Sequence, residues 1–335
     1  MRGSPARAVS RLWRALAAAG RHAARARARR SAGAAGTLAL LAALAGCGLG
    51  VGPAPSAVKL LVTSDFGAHV LSQTNAPKLV GEQTVMSLLM RNDRVSTRYG
   101  GGFVESIGGL SGGREGGQPV DWFYYVNGIE APKGAAATVV HPGDHIWWDR
   151  HDWSQTEDVP AVVGSFPEPF LNGIDGKRWP VRIECADAGG YACATVTNRL
   201  RALGVPAAIA AIGSSGEPET LRLMVGPWVS VGGDLTAHTI AAGPRASGVY
   251  ARFSPDGQTL TLLDQDGRAV RALRAGAGLI AATRNGESAP VWVLTGTDDA
   301  GVDLAARDFD QQVLQDHFAV AVSAAGATAL PVAAP

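Results

Sequence analysis

The segment His141-Pro-Gly-Asp-His-Ile-Trp-Trp-Asp-Arg-His-Asp-Trp153 packs three tryptophans, three histidines and three aspartates into thirteen positions. Read as an extended strand over 144–153, it divides into two faces, because successive side chains of a strand point oppositely. One face carries Asp144, Ile146, Trp148, Arg150 and Asp152; the other carries His145, Trp147, Asp149, His151 and Trp153. One of the two adjacent rings therefore fills a core while its neighbour lies outside, unless the strand is covered on both sides. Trp148 is expected outside, since Ile146 beside it extends an apolar patch. Three chemistries compete for this segment. His145, Asp149 and His151 form an acceptable ligand set for zinc, and a metal-dependent enzyme is the minor alternative built on them. The two histidines, however, stand roughly 20 Å apart on a straight strand. Acid–base use of Asp149 or His151 lacks an evident nucleophile nearby. The preferred reading is an aromatic platform framed by polar residues, with no catalysis and no metal.

Working outward, Asp121–Val126 is an aromatic strand, and Asn127-Gly128 after it is a strong hairpin signal because both residues tolerate positive φ. Ala136–His141 and Asp144–Asp149 read as a second hairpin around Pro142-Gly143. Upstream, Val58–Thr63 is an apolar strand with Ala68–Leu71 as its partner, and Thr84–Asn92 is a short amphipathic helix. Val95–Tyr99 and Phe103–Ile107 are strands flanking a glycine-rich turn. The order strand, strand, helix, strands predicts a small mixed sheet wrapped on one helix, a β-grasp-like arrangement. The glycines between 100 and 117 lack the Gly-Lys-Ser/Thr ending of a phosphate cradle, which excludes nucleotide binding there.

The stretches Val104-Glu-Ser-Ile-Gly-Gly-Leu110, Trp122-Phe-Tyr-Tyr-Val-Asn-Gly128 and His141-Pro-Gly-Asp-His-Ile-Trp-Trp148 resemble the C-terminal domain of transcobalamin and intrinsic factor. They resemble still more closely the bacterial lipoprotein domains grouped with it. The resemblance spans roughly 58–152 and implies a domain that covers one side of a bound corrinoid. The helical-barrel half of the eukaryotic carriers has no counterpart here. On this reading Trp122, Tyr124, Tyr125, Trp148 and Trp153 supply apolar contact to a ligand, with cobalamin or another corrinoid as the candidate. Asn127, Asp149, Arg150 and His151 supply directional bonds.

Beyond a Pro-rich aromatic connector at 159–180 the texture changes. Val181–Cys185, Leu221–Val225, Val291–Leu294 and Ala319–Val322 read as strands, and Val249–Phe253 with Leu260–Leu263 as a hairpin. Ala194–Leu203 and Val302–Phe318 read as helices. Alternating strands and helices predict a separate α/β domain over 181–335, giving an α+β chain whose first domain spans 58–158. Cys185 and Cys193 flank a glycine-containing loop that a disulfide closes in an oxidising compartment.

That compartment follows from the N-terminus. Residues 1–46 hold nine arginines and no acidic residue, and an apolar run from Ala32 is too short to span a membrane. It ends in Leu44-Ala45-Gly46-Cys47, which resembles a lipobox. The expectation is a signal peptide over 1–46, lipidation of Cys47, a flexible tether over 47–57 and an exported, membrane-anchored protein. Arg29-Arg30 leaves both the general secretory and the twin-arginine routes open. The rest of the chain has 21 basic against 29 acidic side chains, which argues against a nucleic-acid partner. Common hydrolase, metalloprotease, thiol-redox and Walker signatures do not occur. The expected function is small-ligand capture for a membrane permease, a vitamin transporter in the corrinoid case. The alternative is a cell-surface module contacting protein or glycan.

Overall fold

The structure, a computed structural model, describes residues 57–76, 79, 81–214 and 217–333. The expected signal peptide, Cys47 and all but the last residue of the tether lie outside the described residues.

β1 (Val58–Ser64) and β2 (His69–Ala76) form an antiparallel hairpin. β1 is buried at every residue except Lys59, the texture of a strand covered on both faces. α1 (Val85–Asn92) opens with a capping box, in which the Thr84 and Ser87 hydroxyls each accept the other residue's backbone N–H. It turns Val85, Leu88 and Leu89 inward. β3 (Val95–Arg98), β4 (Phe103–Ile107) and β5 (Leu110–Ser111) make a small sheet of their own. β6 (Gly113–Glu115), β7 (Gln118–Val126), β8 (Ile129–Glu130) and β9 (His145–Asp152) complete the first main sheet. Its order is β2-β1-β9-β7-β6 with β8 on β7, and β9 runs parallel to β1 but antiparallel to β7. The expected Asn-Gly hairpin joins β7 to β8, with Asn127 and Gly128 at φ 54° and 78°.

One expected strand is missing. Residues 136–141 do not pair with β9; Val139 alone bridges, and to Thr84. The Val140 N–H donates to the Gln83 carbonyl (2.8 Å) and the Val85 N–H to the Thr138 carbonyl (2.9 Å). The segment thus spends its hydrogen bonds on the chain entering α1.

The second main sheet begins with β10 (Val181–Cys185), α2 (Tyr191–Ala202), β11 (Ala207–Ala211) and β12 (Leu221–Pro227). α3 (Trp228–Val231) and α4 (Pro244–Ser247) follow, and β13 (Ala251–Phe253), β14 (Leu260–Leu263) and β15 (Ala269–Leu273) form a three-stranded sheet. β16 (Gly278–Thr283), β17 (Val291–Gly296), α5 (Asp299–Arg307), α6 (Gln311–Leu314), β18 (Ala319–Ser323) and β19 (Gly326–Leu330) close the chain. The order is β11-β10-β12-β17-β16-β18-β19, parallel through β17 and antiparallel beyond. The single helix expected at 302–318 is two helices. The Asp298 side chain caps α5 through Gly301, and Asp310 restarts the chain as a new N-cap, accepting from the Val313 N–H at 3.0 Å. Cys185 and Cys193 are disulfide-bonded, as expected, tying the end of β10 to the first turn of α2.

The two sheets share a core. Ile146 and Trp148 project into the layer beneath α1 with Trp122, Tyr124 and Leu89. Trp147 and Tyr125 project the other way, into a core completed by Tyr250 and Phe318 of the second half. Alternation along β9 is therefore as expected, but the exposure assigned to Trp148 is not. Trp147 is 0% and Trp148 2% exposed, because α1 covers one face and the second sheet the other. The connector joins in, with Val163, Phe166 and Phe170 buried in the core of the second sheet. The described residues form one compact unit.

Candidate functional site

The polar end of β9 closes on a tight turn. Asp65, Phe66 and Gly67 are all left-handed, at φ 57°, 58° and 84°, so the Phe66 and Gly67 N–H groups converge on one point. Successive N–H groups aimed inward make an anion-binding concavity. The Asp149 carboxylate fills it, accepting from Phe66 (3.0 Å) and Gly67 (2.9 Å). It also accepts from the Thr63 hydroxyl at 2.5 Å and pairs with His151 Nδ1 at 2.9 Å. Thr63 in turn accepts from Trp147 Nε1 at 2.7 Å. The His151 ring is stacked between Phe66 and Phe123, each with ring centroids 4.5 Å away, and meets Phe318 edge-on. Asp149 and His151 are both buried. Every strong acceptor direction of this carboxylate is already occupied by the protein. His145 sits at the opposite end of β9, beside Lys59, so the three residues weighed as zinc ligands are not brought together.

The other expected ligand-contacting residues are placed as follows. Asn127 is a buried staple: its amide donates to Asp144 and to the Gly173 carbonyl, both at 2.8 Å, and its oxygen accepts from the His145 N–H. The Tyr124 hydroxyl donates to the Lys133 carbonyl and pairs with Thr138, and Trp122 Nε1 donates to the Leu110 carbonyl at 3.1 Å. Tyr124 stacks on Trp148 with centroids 4.8 Å apart. Tyr125 is fully buried, and Arg150 pairs with Glu115 at 2.7 Å. The aromatic surplus is therefore core and not an open platform. Of the nine, Trp153 lines the main cavity.

That cavity, about 1150 Å³, lies where β8, the end of β9, the connector, α4 and the β16–β17 turn meet. Trp153 forms part of its wall, with Glu130, Asp158, Arg245 and Arg284 among the charged lining groups. A second cavity of about 480 Å³, reaching Trp179 and His141, shares Glu130, Ala131, Pro132 and Arg284 with the first. Burial pushes the Glu130 carboxyl up to about 7; the Asp158 carboxylate adds to this, while the Val159 N–H and Arg284 oppose it. Arg284 is half-buried, and its Nε is sealed from solvent with no hydrogen-bond partner. Burial pulls its charge equilibrium down, against the neighbouring Glu130, Glu287 and Asp158. Sequence reasoning missed Glu130 and Arg284. Both flank unremarkable turns, and only the packing of the two halves brings them to one wall.

A third cavity, about 220 Å³, opens beyond the carboxyl ends of β10 and β12. There the sheet order reverses, the usual ligand position in open α/β sheets.

The chain is thus a strand-rich mixed α/β protein with a charged, tryptophan-walled cleft between two sheets. Residues 82–152, from just before α1 to the end of β9, match a family described as a domain of unknown function (DUF4430), which is associated with transcobalamin-like domains. A search of curated proteins finds no match.

Proposed function

We propose that this chain is an exported, lipid-anchored binding protein that captures a small ligand in the cleft between its sheets and delivers it to a membrane permease. The observation that carries this reading is the cleft: its about 1150 Å³ is somewhat larger than the usual small-molecule site, room enough for a bulky organic ligand. Its wall combines one aromatic ring, Trp153, with charged groups of both signs, a more polar lining than most small-molecule sites carry. The first sheet supports a β-grasp assignment, since a hairpin, a helix and a later strand laid parallel to β1 follow that plan. The match over 82–152 and the transcobalamin-like sequence features make a corrinoid the first ligand to test. The test is an absorbance and intact-mass examination of protein purified from its native host, followed by calorimetry against cyanocobalamin and cobinamide. A bound corrinoid, or micromolar affinity for either compound, is the expected result. Binding that survives Trp153→Ala unchanged moves the ligand out of this cleft.

A second reading, contact with a protein or glycan at the cell surface, is favoured by one feature. Tyr99 is 87% exposed at a left-handed turn, and Phe103 and Leu110 lie exposed on the same small sheet. Loss of partner capture in Tyr99→Ser with ligand binding intact is the result expected on that reading.

A further inference from the structure

The wall shared by the two cavities holds a cation with nothing bonded to it. Arg284 follows β16, and among the described residues its guanidinium makes neither a hydrogen bond nor an ion pair within 4 Å. Its Nε is fully enclosed, while the residue lines both cavities. A polar group closed off from water, as this Nε is, is ordinarily bonded to a partner, because leaving it unpaired is costly. Here the carboxylates of Glu130 on β8, Asp158 just before the connector and Glu287 on its own turn are near enough to act through space. None of them reaches it. Arg245 on α4, also without a protein partner among the described residues, lines the larger cavity. Lys133 lines the smaller one.

We infer that Arg284 anchors an oxyanion, a carboxylate or a phosphate, on a flat organic ligand that lies against Trp153 in the cleft. This rests on the small-ligand reading and names the chemistry that the site selects. A planar guanidinium offers paired N–H donors matched to two oxygens of one oxyanion. The ring of Trp153 offers area for a planar body. The carboxyl of Glu130 acts on the cation more strongly than Glu287 or Asp158 and is its main competitor. Glu130 becomes neutral as pH falls through about 7, and its competition is then withdrawn. Asp158, Glu157 and Glu287 keep their places around the site, and Arg245 adds a second positive group. Anion affinity therefore rises from pH 8 to pH 6.

The experiment is calorimetry of the full chain against 2-naphthoate, 2-naphthyl phosphate and the neutral 2-naphthalenemethanol, at pH 6 and pH 8. The expected result is binding of at least one anion at least tenfold tighter than the alcohol. The tighter of the two anions identifies carboxylate or phosphate as the source. Arg284→Gln lowers anion affinity at least tenfold and leaves the alcohol unaffected; Arg284→Lys, which keeps the charge but loses the paired donors, falls between. Glu130→Gln removes the pH difference. Thermal melts of each variant confirm that the fold is retained. Equal binding of alcohol and acids, absence of binding by all three, or indifference to Arg284→Gln each overturns the inference. A corrinoid bound with undiminished affinity by Arg284→Gln overturns this anchor and leaves the capture function standing.

Discussion

Asp149 offers the sharpest test of how the two halves are joined. Asp149→Ala leaves the Phe66 and Gly67 N–H groups and the His151 ring without an acceptor, all in a region closed to solvent. Thr63 escapes, because its hydroxyl has the Trp148 carbonyl at 3.4 Å as an alternative. Each orphaned buried donor costs about 1–3 kcal/mol. With three donors orphaned, the expected loss is at least about 3 kcal/mol, a large share of the about 5–15 kcal/mol that ordinarily holds a domain together. Asp149→Asn should cost less, about 1–2 kcal/mol, since its amide oxygen still accepts and only one side presents N–H to a donor. The assay is urea unfolding followed by far-ultraviolet circular dichroism, with the m-value checked for constancy across variants. A loss below about 1 kcal/mol in Asp149→Ala, at unchanged m-value, refutes the assignment of Asp149 as the acceptor that fixes this turn.

Trp147→Ala and Trp148→Ala should each cost about 3–5 kcal/mol, because both rings are buried on opposite faces of β9. A mild effect at Trp148 in the same unfolding assay would restore the exposed-ring expectation. Glu168, buried and bonded to Asn172, has a carboxyl pushed up by burial to about 7. A folded value above the ordinary one contributes stability that is present below about 4.5 and lost as pH rises through 7. Relative to Glu168→Gln, wild type should lose about 2.5 kcal/mol between pH 5 and pH 8, and parallel urea midpoints would reject this. His145, lowered by burial to about 4, acts oppositely: its contribution is present above 6.5 and lost as pH falls through 4. His145→Asn should flatten the acid limb of a thermal melt series. Reducing the Cys185–Cys193 bond, which closes a loop of sequence separation 8, should cost about 2–3 kcal/mol by the loop-entropy estimate, read as a drop in melting temperature with dithiothreitol.

The features that sequence reasoning found are those set within a few residues. The Asn127-Gly128 turn needs two left-handed positions, and that pair supplies them. The alternation of β7 and β9 follows from strand geometry, and the Cys185–Cys193 pairing from a short separation. The features it missed depend on what arrives from elsewhere. Nothing between 144 and 153 tells whether the Trp148 face is covered; Leu88 and Leu89 of α1 do the covering. Nothing near His151 announces Phe318, whose ring meets it from the second half. The strand at 207–211, Ala-Ala-Ile-Ala-Ala, is poor in strand formers and is held by its parallel register on β10. Residues 136–141 looked like a strand, but the backbone groups before α1 claimed their hydrogen bonds.

The aromatic excess that pointed to a ligand surface has another use here. Phe66, Phe123, His151 and Phe318 stack or meet edge-on across the joint between the sheets, with Tyr250 against Phe66. Such rings bury large areas at low conformational cost, and a joint this dense leaves no room for a ligand at its centre. It does leave room at its rim. β9 ends at Asp152, and Trp153, whose N–H still donates to the Pro119 carbonyl of β7 at 3.1 Å, stands where the strand end opens onto the cavity. The walls opposite it come from β8, the connector, α4 and the turn after β16, elements whose relative positions the packed joint sets. A binding residue sought by aromatic density alone is therefore sought in the wrong place. The informative signs are charges that the joint leaves unbonded, Arg284 foremost, and the tryptophan at the end of β9.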